Sequence, residues 1–343
     1  MEEMLFNILI PVYKTEKYVE ACIQSVLAQE DQRFRIIVVD DGSPDHAGEI
    51  CDALAQKDER IIVLHQENRG LIAARDAAIR WVSACEREES IVLFLDSDDM
   101  MAPGALTRIR RLFQSENPDV VMFSWNRITS DGILIAQNER SFAPFTLYNK
   151  AEVYRKVFFN CRYNSLCLKA VKSHVLTKTD YSPYYAISYG EDLLRSIDIY
   201  RNAQSIKFVP DALYLYRDNP KSITHQENYD DYRLDSTVRK TVWEFLNAED
   251  VWTSADYADY LKIMRQYLSD EIWQIAVHTS SLSNCRRVLG QILSDAYYQT
   301  VLGSVCRRDY LLRLLNGRKF GWLYLLGRGV KQAIHLKQAL HRG

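Results

Sequence analysis

Glycine and proline are scarce, at 13 and 8 in 343 residues. That shortage argues against collagen-like, linker-dominated and many-stranded all-β architectures, which need frequent turns. Charge of one sign is lacking too. Lys and Arg number 43 against 45 Asp and Glu, a net of −2, which excludes a whole-molecule basic field for nucleic acid but leaves local patches open. No apolar run approaches the length of about 20 residues that spans a bilayer. The opening MEEMLFNILIPVY lacks the basic n-region and long apolar h-region of a signal peptide. The seven cysteines contain no CxxC pair and their odd number prevents complete internal pairing; among apolar neighbours they read as free thiols in a reducing cytosol. The P-loop and the dinucleotide glycine fingerprint are absent, as are His and Cys at zinc-ligand spacing.

What is present is ample core material, with 47% hydrophobic and 26% charged residues and no disorder signature. Short apolar runs at Phe6–Val12, Ile36–Val39, Ile61–Leu64, Ile91–Leu95 and Val120–Trp125 do not alternate with polar residues, as expected of strands covered on both faces. Between them Val19, Cys22, Ile23, Val26 and Leu27, and then Ala47, Ile50, Cys51 and Leu54, recur at helical spacing. Ser43 and Pro44 read as N-cap and first residue of the second helix. Leu71–Val82 and Ala105–Phe113 continue the series. The order predicts an α/β fold, a mostly parallel central sheet flanked by helices. Further on come helices at Ala151–Phe159 and Glu191–Tyr200 and two strands at Ser205–Val209 and Ala212–Arg217. Past about residue 230 the signals become helical, so the expected division is a domain at 1–228 and a helical region at 229–343.

In an open α/β sheet, ligands bind beyond the carboxyl ends of the strands. Asp40-Asp41-Gly42-Ser43 follows one strand run directly, and Asp96-Ser97-Asp98-Asp99 follows another. The first cluster is also an ordinary turn and cap sequence; three acids in four residues exceed any capping need. If both clusters face one cleft, a cation or hydrogen-bond donors must compensate them. Asp96 and Asp98 offer the oxygen ligands that Mg²⁺ or Mn²⁺ takes, with water and phosphate completing the shell.

The segments Ile8–Tyr13, Val38–Ser43, Asn68-Arg69-Gly70 running into Ala73–Asp76, Leu95–Asp99, Gly190–Leu194, and Tyr216-Arg217 with Ser222–His225 together resemble the family-2 glycosyltransferases of the GT-A fold, of the bacterial envelope or exopolysaccharide type. The resemblance covers roughly 1–225. It implies that Pro11, Tyr13, Asp41 and Arg75, with Asp40 beside them, surround a nucleotide base, usually uracil. It further implies Asp96 and Asp98 as the metal-binding DxD pair, and Asp192 as general base with Glu191 beside it. Arg217, Ser222 and His225 would lie near the diphosphate, His225 also as a metal ligand. Two positions depart from the family: Asp76 stands where Asn is common, and Arg195 where an aromatic is. Arg195 reads either as a contact to an anionic substrate or as a solvated helix residue.

The expected chemistry is an inverting, metal-dependent transfer of a sugar from a nucleotide diphosphate, a UDP-sugar, to a hydroxyl of a glycan or lipid-linked acceptor in polysaccharide biosynthesis. A sugar-phosphate nucleotidyltransferase would share the sheet and acids, but Ile10–Lys14 has no glycine to form its N-terminal triphosphate loop. An inactive binding protein of the same fold would show damage at Asp96, Asp98 or Asp192, and all are present.

Residues 303–343 stand apart. Arg307, Arg308, Arg313, Arg318, Lys319, Arg328, Lys331, Lys337 and Arg342 face one acid, Asp309, giving +8 in a chain of net −2. Trp322 and many leucines are interleaved. This suits an interfacial helix on the anionic inner face of the cell membrane; a basic helix packed on its own domain or in a homo-oligomer contact is the alternative. The expected location is the cytoplasm, with or without that peripheral contact.

Overall fold

The computed structural model describes residues 4–85, 89–136, 144–158, 164–176, 179–187, 190–219, 233–249, 251–303 and 309–340, with the backbone alone at 136, 157, 233–236 and 331–340. Two compact units emerge, Met1–His225 and Gln226–Gly343.

In the first unit, β1 (Phe6–Val12), β2 (Phe34–Asp40), β3 (Ile61–His65) and β4 (Ile91–Phe94) alternate with α1 (Val19–Leu27), α2 (Ala47–Ala55) and α3 (Leu71–Cys85). After β4 come β5 (Met100–Met101), α4 (Ala105–Glu116), β6 (Val120–Ile128), β7 (Leu134–Ala136), β8 (Phe145–Leu147), α5 (Lys150–Phe158), β9 (Lys169–Lys172), α6 (Glu191–Asn202) and β10 (Ile206–Arg217). Among the described residues these strands form one ten-stranded sheet of order β3-β2-β1-β4-β9-β6-β10-β5, with β7 on β6 and β8 on β10.

The missing alternation has a plain cause. Phe6, Ile8, Ile10 and Val12 join Ile36, Val38, Ile91 and Leu93 in a core completed by α1, α2 and α4. Their alternates Leu9, Ile37, Val39, Val92 and Phe94 are equally buried, and α3 packs along β1 and β2. Both faces of β1, β2 and β4 are therefore largely dry, and their sequences are nearly continuous apolar runs.

The sheet is mostly parallel, as expected: β1, β2, β3 and β4 pair in parallel, as do β6 and β10, while β9 runs antiparallel between β4 and β6. Two expectations are corrected. Ser-Pro at 43–44 does not start α2, which begins at Ala47. The Ser43 amide donates to the Asp40 carboxylate at 3.0 Å and holds this stretch as a loop; Asp45 instead accepts from the Ala47 amide at 3.3 Å. Finally, 206–217 is one strand. The Pro210-Asp211 step is absorbed by register shifts between Phe208 and Ala212 and between Ala212 and Tyr214, the position where a sheet tolerates proline.

β9 was invisible in the sequence because Lys-Ala-Val-Lys looks solvent-facing, yet both lysines are buried. Lys172 donates to the Asn117 carbonyl at 3.2 Å and to Asp119 at 3.3 Å. Lys169 donates to the Ser165 carbonyl at 2.6 Å.

The second unit is helical among its described residues: α7 (Arg233–Ala248), α8 (Ser254–His278), α9 (Leu282–Ser294), α10 (Ala296–Gly303), α11 (Tyr310–Asn316) and α12 (Phe320–Leu340). A Thr253–Asp256 capping box opens α8, satisfying amides that have no partner within the helix. α12 packs on α8 and α9, and its approach is set by Gly327, where a Cβ would overlap the Ala276 carbonyl and come within 2.7 Å of the Val277 amide nitrogen. Among the described residues no helix is long and apolar enough to cross a membrane.

Gly327→Ala is expected to lower stability by about 1–3 kcal/mol, the usual cost of overpacking. Gly329→Ala, with open space at its Cβ, should raise it by about 0.5–1 kcal/mol through helix propensity. Urea unfolding of the two variants checks the sign of each.

Candidate active site

Because β1, β2 and β4 run the same way, their carboxyl ends share one edge and bring the two acid clusters side by side. Pro11 is buried in β1, and Tyr13, just past its end, is 41% exposed. Asp40 accepts from the Ser43 amide and lies 3.0 Å from His65 Nδ1. Asp41 accepts from the Arg69 amide at 3.0 Å, the Gly70 amide at 2.8 Å and Gln66 Nε2 at 2.6 Å. It therefore holds the loop that leads into α3. Gly70 sits at φ +93°, where a Cβ would meet the Tyr185 carbonyl at 2.8 Å, so only glycine makes this turn without strain.

The turn aims α3 so that Arg75 points inward. Arg75 is 4% exposed and forks between three carboxylates: Nη2 to Asp96 at 3.0 Å, Nη1 to Asp192 at 2.6 Å, and Nη1 to Glu191 at 3.5 Å. Its Nε has no hydrogen-bond partner among the described residues. Burial opposes the guanidinium charge, but Asp192, Asp96 and Glu191 outweigh it and raise the pKa. The segment 166–168 supplies a second anchor, the Leu166 amide donating to Asp192 Oδ2 at 3.1 Å. Beneath it Lys169 is pulled down to about 7 by burial, against the attraction of Asp192.

The loop of the DxD pair is held from β10. Tyr214 donates to Asp99 Oδ2 at 2.6 Å and the Arg217 amide to Asp99 Oδ1 at 2.6 Å. Arg217 Nε donates to the Asp98 carbonyl at 2.7 Å and Nη1 to the Ser130 carbonyl at 2.6 Å, while the guanidinium carbon lies 5.1 Å from the Tyr18 ring centroid. Asn219 Nδ2 donates to Asp98 Oδ2 at 2.9 Å. Arg217 thus shapes the loop from behind. Sequence reasoning missed Tyr214 and Asn219, which carry no charge to flag them. It grouped Asp99 with its neighbours, although Asp99 is the buried acid that anchors the loop. Ser222 and His225 lie outside the described residues.

The donor set fits a hard divalent cation. One oxygen each of Asp96 and Asp98 is engaged by Arg75 and Asn219, leaving Asp96 Oδ2 and Asp98 Oδ1 without a protein partner among the described residues. Burial pushes the Asp96 carboxyl up, Arg75 opposes this, and Asp192 and Asp98 add to it. Glu191 is raised by burial and by Asp192. Burial keeps both acids raised even beside Arg75, and added positive charge would relieve them. No group of three or more His, Cys, Asp or Glu that could hold an ion occurs among the described residues, so water and phosphate would complete the shell.

Arg195 is not a solvated residue. It is 5% exposed, pairs with Asp76 and lies over the Tyr181 ring at 3.8 Å; Tyr185 donates to the other Asp76 oxygen at 3.2 Å. The two departures from the family are one ion pair.

The sequence pattern described as "Glycosyl transferase family 2" matches residues 7–176. Glycosyltransferase GlyG of Streptococcus pneumoniae is 31% identical over 230 residues, 65% of this chain and 74% of GlyG. "Uncharacterized glycosyltransferase EpsJ" of Bacillus subtilis is 28% identical over 234 residues, 64% of this chain and 63% of EpsJ, under two thirds of that protein's length. In structure the chain is similar to Staphylococcus aureus TarS 1–349 in complex with UDP-GlcNAc, with a TM-score of 0.70, 17% identity, and coverage of 96% of this chain and 92% of that one.

Asp76→Asn is expected to cost about 1–3 kcal/mol by removing the carboxylate paired with Arg195, Asp198 still attracting the guanidinium. The double variant Asp76→Asn with Arg195→Phe should recover most of that loss. Thermal unfolding of the two variants measures the recovery.

Proposed function

The chain belongs to glycosyl transferase family 2, and from that premise we propose that it moves a sugar from a UDP-sugar to a hydroxyl of a glycan or lipid-linked acceptor in bacterial polysaccharide biosynthesis, with inversion and with a divalent cation. The observation that carries this reading is the Arg75 fork, which joins Asp96 of the DxD loop to Asp192 at the head of α6. A donor of this class is supported by TarS, whose structures are titled as complexes with UDP-GlcNAc and with UDP.

Tyr13, the exposed ring at the end of β1, offers a stacking face for the base. Asp41 holds the neighbouring loop to which a uracil edge would fit. Asp96 and Asp98 would hold Mn²⁺ or Mg²⁺, which when bound offsets the charge that develops on a departing diphosphate. Asp192, its side chain 25% exposed, keeps lone pairs on both oxygens after its bonds to Arg75 and Leu166. It can take the proton of an acceptor hydroxyl as general base. Attack by that hydroxyl opposite the diphosphate breaks the sugar–phosphate bond and forms the glycosidic bond in one displacement, which inverts the anomeric centre. No carboxylate nucleophile is required. Glu191, more buried and farther from Arg75, supports the charge balance.

Calorimetry with UDP is expected to register binding in the presence of Mn²⁺ and little with EDTA, and Asp98→Ala should abolish transfer while leaving the unfolding midpoint unchanged. Equal affinity for UDP with EDTA would contradict the metal assignment. Asp192→Asn should lower kcat by at least about 10²-fold with UDP affinity nearly unchanged, and Glu191→Gln should be milder. Steady-state kinetics with near-native turnover in Asp192→Asn would remove Asp192 from the role of base.

A further inference from the structure

The rotation of α12 about its own axis is fixed by three contacts within the helical unit. Leu323 is fully buried, Gly327 presses on the Ala276 carbonyl, and Arg328 donates to the Thr279 carbonyl at 2.8 Å and the Ser280 carbonyl at 3.1 Å. The line of side chains beside these contacts is turned outward, and it is apolar. Trp322 and Leu325 are each 64% exposed, Leu326 39% and Val330 37%, with Tyr310 of α11 at 60%. Their spacing of three, four and eight residues from Trp322 makes one stripe along the helix. An apolar stripe of this kind is uncommon on a protein surface that faces only water.

The charged residues of α11 and α12 are of one sign. Arg313, Arg318 and Lys319 are exposed, and Lys319 precedes Trp322 by one turn, its carbonyl accepting from the Trp322 amide at 3.0 Å. From Tyr310 to Gly343 the sequence contains no Asp or Glu. A second copy of the chain docking about a two-fold axis would set these cations against their own images, with no acid in the segment to offset them. An anionic surface meets both features at once: it accepts Trp and Leu at its boundary and attracts the flanking Arg and Lys.

We propose that the outward face of α12 is a docking surface for an anionic lipid leaflet, on which the helix lies flat with Trp322, Leu325, Leu326 and Val330 inserted at the headgroup level. The surface belongs to the helical unit alone and owes nothing to the nucleotide-sugar reading of the first unit.

Flotation of the full chain on a density gradient tests it, with phosphatidylcholine vesicles prepared with and without phosphatidylglycerol. The protein is expected to rise with the phosphatidylglycerol vesicles at low salt, to stay down with phosphatidylcholine alone, and to be released as salt approaches about 0.5 M and the Debye length shrinks. Trp322→Glu with Leu325→Glu should cut the floated fraction at least about 10-fold at an unchanged unfolding midpoint. Arg318→Gln with Lys319→Gln should weaken flotation and its salt dependence. Protein that remains at the bottom with anionic vesicles at low salt overturns the proposal, as does equal flotation with neutral ones. A dimer in sedimentation equilibrium that Trp322→Glu dissociates, with no flotation of the native chain, would assign the face to a second copy instead.

Discussion

A guanidinium withdrawn from water must recover its lost hydration from fixed acceptors, and Arg75 recovers it from carboxylates drawn from two distant parts of the chain. Asp96 ends a strand in the first half of the unit, whereas Glu191 and Asp192 open α6. Neither cluster is comfortable without the guanidinium, since burial and mutual repulsion push Asp96 and Glu191 upward. The fork therefore solves two electrostatic problems at once and fixes the distance between the DxD loop and the proposed base. Everything behind it serves to keep Arg75 in place. Asp41 ties down the loop before α3, Gly70 makes the turn, and the Leu166 amide holds the far side of Asp192.

Much of this was legible in the order of residues. The doubly covered strands announced themselves by apolar runs without alternation, because burial on both faces leaves no polar side to read. The acid clusters were legible because their density exceeds what turns and caps require. Other features left no trace in a linear reading. Lys169 and Lys172 are charged residues in the middle of the sheet, tolerated because each ammonium reaches a carbonyl or carboxylate, and nothing local in Lys-Ala-Val-Lys signals that. The step at Pro210-Asp211 looked like a break between strands, yet the sheet takes it up as a shift of register. Ser43 resembled a cap, but the Asp40 carboxylate captured its amide first.

Asp76 and Arg195 illustrate a subtler limit. Each departs from the family on its own, and Arg195 taken alone suggests a contact to an anionic substrate. Brought together in the structure they form one buried pair, stacked on Tyr181 and bonded to Tyr185. Two simultaneous departures of opposite charge were the available signal, and pairing them was the reading that physical chemistry favours, because an unpartnered buried charge is rarely retained. The same accounting of charge separates the two units. The first gathers Asp96, Glu191 and Asp192 around Arg75, and the second ends in a helix whose exposed face has apolar and basic residues with no acid among them.

The central claim is that Arg75 couples Asp192 to the DxD loop as one electrostatic unit. A double-mutant cycle measures that coupling directly, with Arg75→Met, Asp192→Asn and the double variant compared by urea unfolding. Residues that share a buried ion pair are expected to be strongly non-additive, with a coupling of about 2 kcal/mol or more, so that Asp192→Asn costs far less in the Arg75→Met background than in the native one. Additivity within about 0.5 kcal/mol would contradict the account.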